Sequence, residues 1–227
     1  MLDMFPSTTI KYDSREFDMF GFSDRDLIFR RWRETKTFYE EPLLSKIRSM
    51  DIGGCYVDAG ANQGNHTIFF SEFCRSSEIV SVEASRVIRP ILEKNSNTYV
   101  TKPLSIIDGC LYSVDGKRAS SLKGVDPLNC GGTEFAVTPD GSGDVVTITL
   151  DSLLHGKDVG LLKLDLEGME MSALQGAIHT IEKCRPVVFA EAWKHSFRSM
   201  IDRFLAELGY KETYSFAQTY CWEHTSD

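Results

Sequence analysis

Hydrophobic positions change their spacing along this chain, and the changes divide it. After Asp51-Ile52-Gly53-Gly54, short apolar runs alternate with stretches of helical period. CYV (55–57), IVSV (79–82), LSII (104–107), VGLLKL (159–164) and VVFA (187–190) read as strands. Between and after them, Leu174, Ala177, Ile178 and Ile181 fall at helical spacing, and Phe197, Ile201, Phe204, Leu205 and Leu208 repeat it. A helix over 66–74 carries Ile68, Phe69 and Phe73, and another over 86–97 follows Ser85 as its N-cap. Strand–helix alternation of this kind predicts βαβ units and a largely parallel sheet.

Two stretches break the pattern. Residues 1–33 mix aromatics with charges and show no clean period, whereas 35–50 reads as a helix presenting Phe38, Leu43 or Leu44, and Ile47, with Pro42 near its start or at a kink. The division is therefore an N-terminal extension over 1–50 and a domain over 51–227. Inside that domain, Asp115-Gly116 signals a hairpin within 111–121. The stretch 124–144 holds five glycines and two prolines among polar residues, a long loop, before VVTIT (145–149) resumes a strand.

Composition narrows the partners. At 227 residues the chain has room for one domain plus a segment. Its 25 Lys and Arg stand against 33 Asp and Glu, and the net charge of −8 repels a phosphate backbone, so no nucleic-acid partner is expected. No apolar run approaches a membrane span and the first residues lack the layout of a signal peptide, so the expectation is a soluble, cytoplasmic protein. The six cysteines are scattered without a C-x-x-C pair and read as reduced thiols.

The chemistry sits at the strand ends. Asp58, Glu83, Asp108, Asp165 with Glu167, and Glu191 each follow one of the five runs. In an open α/β sheet, ligands bind beyond the carboxyl ends of the strands, so these acids converge on one rim. Between the first strand and helix, Asp58-Ala59-Gly60-Ala61-Asn62-Gln63-Gly64 forms a glycine turn that lacks the G-x-G-x-x-G spacing of a dinucleotide site. Glu83 lies 19 residues past Gly64, the offset at which an acid takes a ribose hydroxyl pair in both NAD and S-adenosylmethionine sites. Asp58 beside the turn suits an amino group and is badly placed for a pyrophosphate.

VDAGANQGNHTIFF, SVEAS, TLDSL, LLKLDLEGMEMSALQGA and RPVVFAEAW, in this order over about residues 38–193, resemble the FkbM-type S-adenosylmethionine-dependent methyltransferases. The resemblance implies a class I methyltransferase fold, a seven-stranded mostly parallel sheet flanked by helices, and O-methylation of sugars or polyketide-like small molecules. It implies that Asp58, Gly60, Asn62 and Gly64, with Asn65, surround the methionine part of the cofactor. It places Glu83 and Ala84 at the ribose and Asp108 with Gly109 at the adenine edge.

Methyl transfer to a hydroxyl needs a group that removes its proton, and the candidates on the rim are Asp165, Glu167, Glu191 and His195. Asp165 and Glu191, with Glu167, also suit a divalent cation such as Mg2+ or Mn2+, which prefers carboxylate oxygens. Trp193, Trp222, Tyr214, Phe216 and Tyr220 offer a stacking wall, and Gly131-Gly132-Thr133-Glu134 a flexible point in the long loop. A nicotinamide-dependent oxidoreductase and a non-catalytic cofactor-binding module stand as alternatives. Oligomeric state leaves no mark in the sequence.

Overall fold

The computed structural model describes residues 5–225. Its N-terminal part, without a legible period, folds into a hairpin and two helices. β1 (Ser7–Tyr12) and β2 (Arg15–Phe20) pair antiparallel across Asp13 and Ser14, both at positive φ. One face of this ribbon buries Ile10, Phe17 and Met19. Its turn lacks the glycine that marks most hairpins, and this hides it from pattern reading. α1 (Leu27–Thr35) begins at Asp26, whose carboxylate accepts from the Phe29 N–H. α2 (Glu41–Ser49) is separate and starts at Pro42's turn rather than at residue 35, while Phe38, Leu43, Leu44 and Ile47 are all buried.

The alternation then follows: β3 (Cys55–Ala59), α3 (Asn65–Phe73), β4 (Glu78–Val82), α4 (Arg89–Tyr99) and β5 (Leu104–Ile107). α4 starts four residues after Ser85. That residue donates its N–H to Glu83, and its carbonyl accepts from Ile88 and Arg89, so it opens the preceding turn instead of capping the helix. β6 (Cys110–Leu111), β7 (Arg118–Ser121), β8 (Phe135–Val137) and β9 (Val145–Ile148) form a small sheet in the order β6-β9-β7-β8. β9 thus lies between β6 and β7, and the turn at Gly116 makes no hairpin of them. Part of the expected loop over 124–144 is strand β8, paired to β7, preceded by a 3-10 turn at Cys130–Gly132.

α5 (Leu150–Leu153), β10 (Val159–Leu164), α6 (Glu170–Gln175), α7 (Ile178–Cys184), β11 (Val187–Glu191), α8 (His195–Glu207), β12 (Tyr210–Phe216) and β13 (Thr219–His224) complete the chain. The single helix expected through 174–181 is broken at Gly176, where a Cβ would stand 2.3 Å from the Tyr112 carbonyl oxygen.

The main sheet has the order β12-β13-β11-β10-β3-β4-β5, with β13 antiparallel to both neighbours and the other pairs parallel. Successive side chains point to opposite faces. Val57, Leu162 and Val188 meet the aliphatic faces of α6, α7 and α8 at Leu174, Ile181, Ile201 and Leu205. Tyr56, Leu161 and Phe189 meet Phe69 and Phe70 of α3 together with Phe38, Trp32 and Ile47. Residues 7–50 therefore share a core with the sheet, rather than hanging from it as an extension.

Candidate active site

The carboxyl ends of β3, β4, β10 and β11 open into a cavity of about 300 Å3. Its glycine wall is built by close approach. Gly60 has φ of 74°, and a Cβ there would lie 1.8 Å from the Asp165 carbonyl oxygen, so only glycine lets the loops after β3 and β10 meet. Asn62, also at positive φ, lines the same wall.

Glu83 at the end of β4 is buried, and both its oxygens are engaged. Oε2 accepts from the Asn62 N–H at 2.8 Å and Oε1 from the Ser85 N–H at 2.7 Å. Burial pushes its carboxyl up, against those two N–H groups and the Lys163 charge. Around it, Ala84, Ile88, Gly109, Leu111, Phe135 and Met169 form a slot that is mostly apolar.

Farther along, Asp165, Glu167 and Glu191 each place a carboxylate oxygen within 4.8 Å of the others. Glu167 sits at φ of 52°, and its Oε2 is buried with no hydrogen-bond partner. Burial pushes its carboxyl up to about 8, and the charges of Asp165, Glu170 and Glu134 add to the effect. Burial, with Asp165 next, also pushes Glu191 up to about 8, although Trp193 Nε1 donates to its Oε2 at 2.6 Å. Like charges this close hold a proton near neutral pH. Glu170, by contrast, turns away: it is buried and its carboxylate accepts from the Leu166 and Gly168 N–H groups, tying off the start of α6.

Several sequence-derived assignments are corrected by geometry. Asp58 is fully buried and does not line the cavity; it accepts from Thr67 Oγ1 at 2.6 Å and lies 3.2 Å from Lys163 Nζ. Lys163 donates to the Gly60 carbonyl at 3.0 Å, so the pair braces the glycine turn from beneath. Burial alone pulls Lys163 down, but Asp58 and Asp165 outweigh it and hold the ammonium charged. Gly64 caps α3 against Leu92, away from the cavity. Asn65 is buried and its amide serves the N-terminal segment, accepting from Trp32 Nε1 and the Tyr39 N–H and donating to the Tyr39 carbonyl. Asp108 faces solvent in ion pairs with Arg86 and Arg89, while its neighbour Gly109 does reach the cavity. His195 is exposed at the start of α8 and lines no part of the cavity. Of the aromatic wall only Trp193 stands at the cavity. Trp222 is buried with Nε1 donating to Asp202, Tyr214 and Phe216 pack on the sheet, and Tyr220 lies under Arg198.

Sequence reasoning missed the contribution of the first forty residues. Tyr39 and Glu40 line the cavity opposite Asp165, and Leu27 and Ile28 close it beside Asn129, Cys130, Gly131 and Thr133. Burial pushes the Tyr39 phenol up to about 12, with Glu40, Asp165 and Glu191 adding to it. Burial works the other way on Glu40, but the His66 imidazole, 3.3 Å away, and Lys163 outweigh it and hold the carboxyl below its ordinary range. The roof is strapped by buried Asp26, which accepts from Gln63 Nε2 and the Cys130 N–H, and by the Leu27 N–H donating to the Leu128 carbonyl. No residue spacing announces these contacts.

The Methyltransferase FkbM domain model matches residues 58–212. The chain belongs to this family. Among solved structures, it is similar to the methyltransferase FkbM from Methylobacillus flagellatus KT, with 15% identity and a TM-score of 0.56 over 76% of this chain and 44% of that one. The chain thus spans less than half the length of that relative. Two others are a precorrin-6y C5,15-methyltransferase from Geobacter metallireducens GS-15 (11% identity, TM-score 0.49, 80% of this chain and 86% of that one) and a ribosomal protein L11 methylase from Lactobacillus delbrueckii subsp. bulgaricus (10%, 0.49, 82% and 79%). Among curated proteins none matches the sequence. The fold is that of the class I methyltransferases. Tyr39, Glu40, Leu27 and Ile28 all precede the matched residues. Among the described residues no helix is long and apolar enough to cross a membrane.

Proposed function

We propose that this family member transfers a methyl group from S-adenosylmethionine to a hydroxyl of a small acceptor, with Glu167 taking the proton. The observation that carries the reading is one continuous cavity joining a glycine-walled slot at Glu83 to a proton-holding carboxylate cluster. The residues present fit the cofactor. The slot of Ile88, Leu111 and Met169 suits adenine, Glu83 at its edge suits ribose hydroxyls, and ionised Glu40 beside Tyr39 suits the ammonium of an amino acid. When bound, S-adenosylmethionine supplies an electrophilic methyl group on a sulfonium. The chain's own task is to align and dehydrate the acceptor hydroxyl and to accept its proton. Glu167 is better placed than Glu191, because its Oε2 is unpartnered whereas that of Glu191 is held by Trp193. Asp165 at their side keeps the proton affinity of the cluster high.

Calorimetric titration with S-adenosylhomocysteine, 5′-methylthioadenosine and NAD tests the donor. The first two should bind and NAD should not. Glu40→Gln should weaken S-adenosylhomocysteine about 10-fold, the loss of a charge-assisted hydrogen bond, and leave methylthioadenosine, which has no amino acid end, unchanged. Equal weakening of both ligands would show that Glu40 only supports the fold. Three carboxylates at this spacing also suit Mg2+ or Mn2+; a turnover rate unaffected by a chelator supports the proton role, and a rate abolished by it assigns the cluster to a cation.

A further inference from the structure

Beyond the acid cluster lies a second cavity of about 430 Å3 that the reading above leaves unused. It shares Glu167 and Trp193 with the first, so the two cavities meet at the residue assigned to proton removal. Its long wall is apolar. Trp193 and Met200 are 56% and 52% exposed there, and half-buried Phe197 lies between them. Ser196, Phe197 and Met200 follow helical spacing along the first turns of α8, so one helix face supplies the wall. The indole is not free to swing, because its Nε1 is bonded to Glu191. Polar groups are confined to Glu134, Glu167, Lys194 and Ser196.

Large apolar side chains left open to water side by side cost free energy that folding does not require, and such patches mark binding surfaces. Position and size point to a small molecule as the occupant: the volume lies within the range of small-molecule sites, and the cleft ends at the reaction cluster. A free sugar would bury several hydroxyls against Trp193, Phe197 and Met200, which offer only one hydrogen-bond donor, already engaged with Glu191. We propose that this cleft is the acceptor site of the methyl transfer and that it takes an amphiphilic alcohol, presenting its hydroxyl to Glu167 and laying an apolar carbon body along Trp193, Phe197 and Met200. The assignment of the cleft as acceptor site rests on the methyltransferase reading; its preference for an apolar body rests on the wall alone.

The test compares monomeric octyl β-glucoside, methyl β-glucoside and maltotriose by calorimetry, with and without saturating S-adenosylhomocysteine. Octyl glucoside should bind at least 10-fold more tightly than methyl glucoside. Met200→Glu, at an exposed helix position, should erase that difference while the affinity for S-adenosylhomocysteine stays the same, and the near-isosteric Met200→Gln should reduce it in the same direction. Maltotriose binding more tightly than octyl glucoside, or octyl glucoside binding unchanged in Met200→Glu, overturns the proposal. Absence of S-adenosylhomocysteine binding alongside a Met200-dependent octyl glucoside site would instead sink the donor assignment and leave the cleft standing.

Discussion

The two ends of the cavity at the strand ends hold carboxylates in opposite ways. At the β4 end, Glu83 is buried with both oxygens receiving backbone N–H groups, so desolvation is opposed by fixed donors. At the β10 and β11 end, Glu167 is half-buried at a left-handed backbone position, with one oxygen unpartnered and like charges around it. A satisfied carboxylate is rigid and can present a fixed acceptor edge to a ligand. An unsatisfied one gains from taking up a proton, which is the property a general base near neutral pH needs. On the proposed function, this contrast separates a holding end from a reacting end.

The largest expected effect breaks the reacting end. Glu167→Gln should lower turnover by about 10²–10⁴-fold with little change in S-adenosylhomocysteine affinity. In the parent, turnover should climb with pH through about 8 and level off only above it, as Glu167 and Glu191 lose their protons. Stability should run the other way. A carboxyl raised in the folded state contributes fully below its ordinary value and loses that contribution as pH rises toward 8, so the parent's Tm should fall between pH 5 and 8 and that of Glu167→Gln should fall less. A flat turnover profile across this range would remove the cluster as base.

Gly60→Ala tests the close approach that builds the holding end. The added Cβ meets the Asp165 carbonyl at 1.8 Å in a left-handed conformation, at a cost of about 2–5 kcal/mol. Thermal unfolding within a degree of the parent would show that the two loops do not meet this way. Glu83→Ala should weaken S-adenosylhomocysteine about 10–100-fold, since it removes both the acceptor edge and the brace on Asn62 and Ser85. The smallest effect is expected at Asp108, whose ion pairs with Arg86 and Arg89 lie at the surface. Asp108→Ala should change stability by no more than about 1 kcal/mol and cofactor affinity less than twofold, and a larger loss of affinity would restore it to the adenine edge.

Much of the strand framework was legible because βαβ units write themselves as apolar runs with carboxylates at their ends. The five runs became β3, β4, β5, β10 and β11, and the convergence of Glu83, Asp165, Glu167 and Glu191 on one cavity follows from parallel strands sharing a direction. The same rule overreached at Asp58 and Asp108. A strand-end acid can turn inward to a buried lysine or outward to surface arginines, and position along the chain does not distinguish these. Tyr39 and Glu40 were invisible for a different reason. They reach the cavity only because the hairpin, α1 and α2 pack on the aromatic face of the sheet.

The sequence alone determined the alternation of strand and helix, the glycine turn, and the acids at the strand ends, because period and turn chemistry are local properties of the chain. The tertiary structure alone decided which acids face the cavity, which carry a raised proton affinity, and which side chains from the first forty residues complete the wall. Those depend on burial and on the distance between groups remote in sequence, and both exist only once the two faces of the sheet are covered.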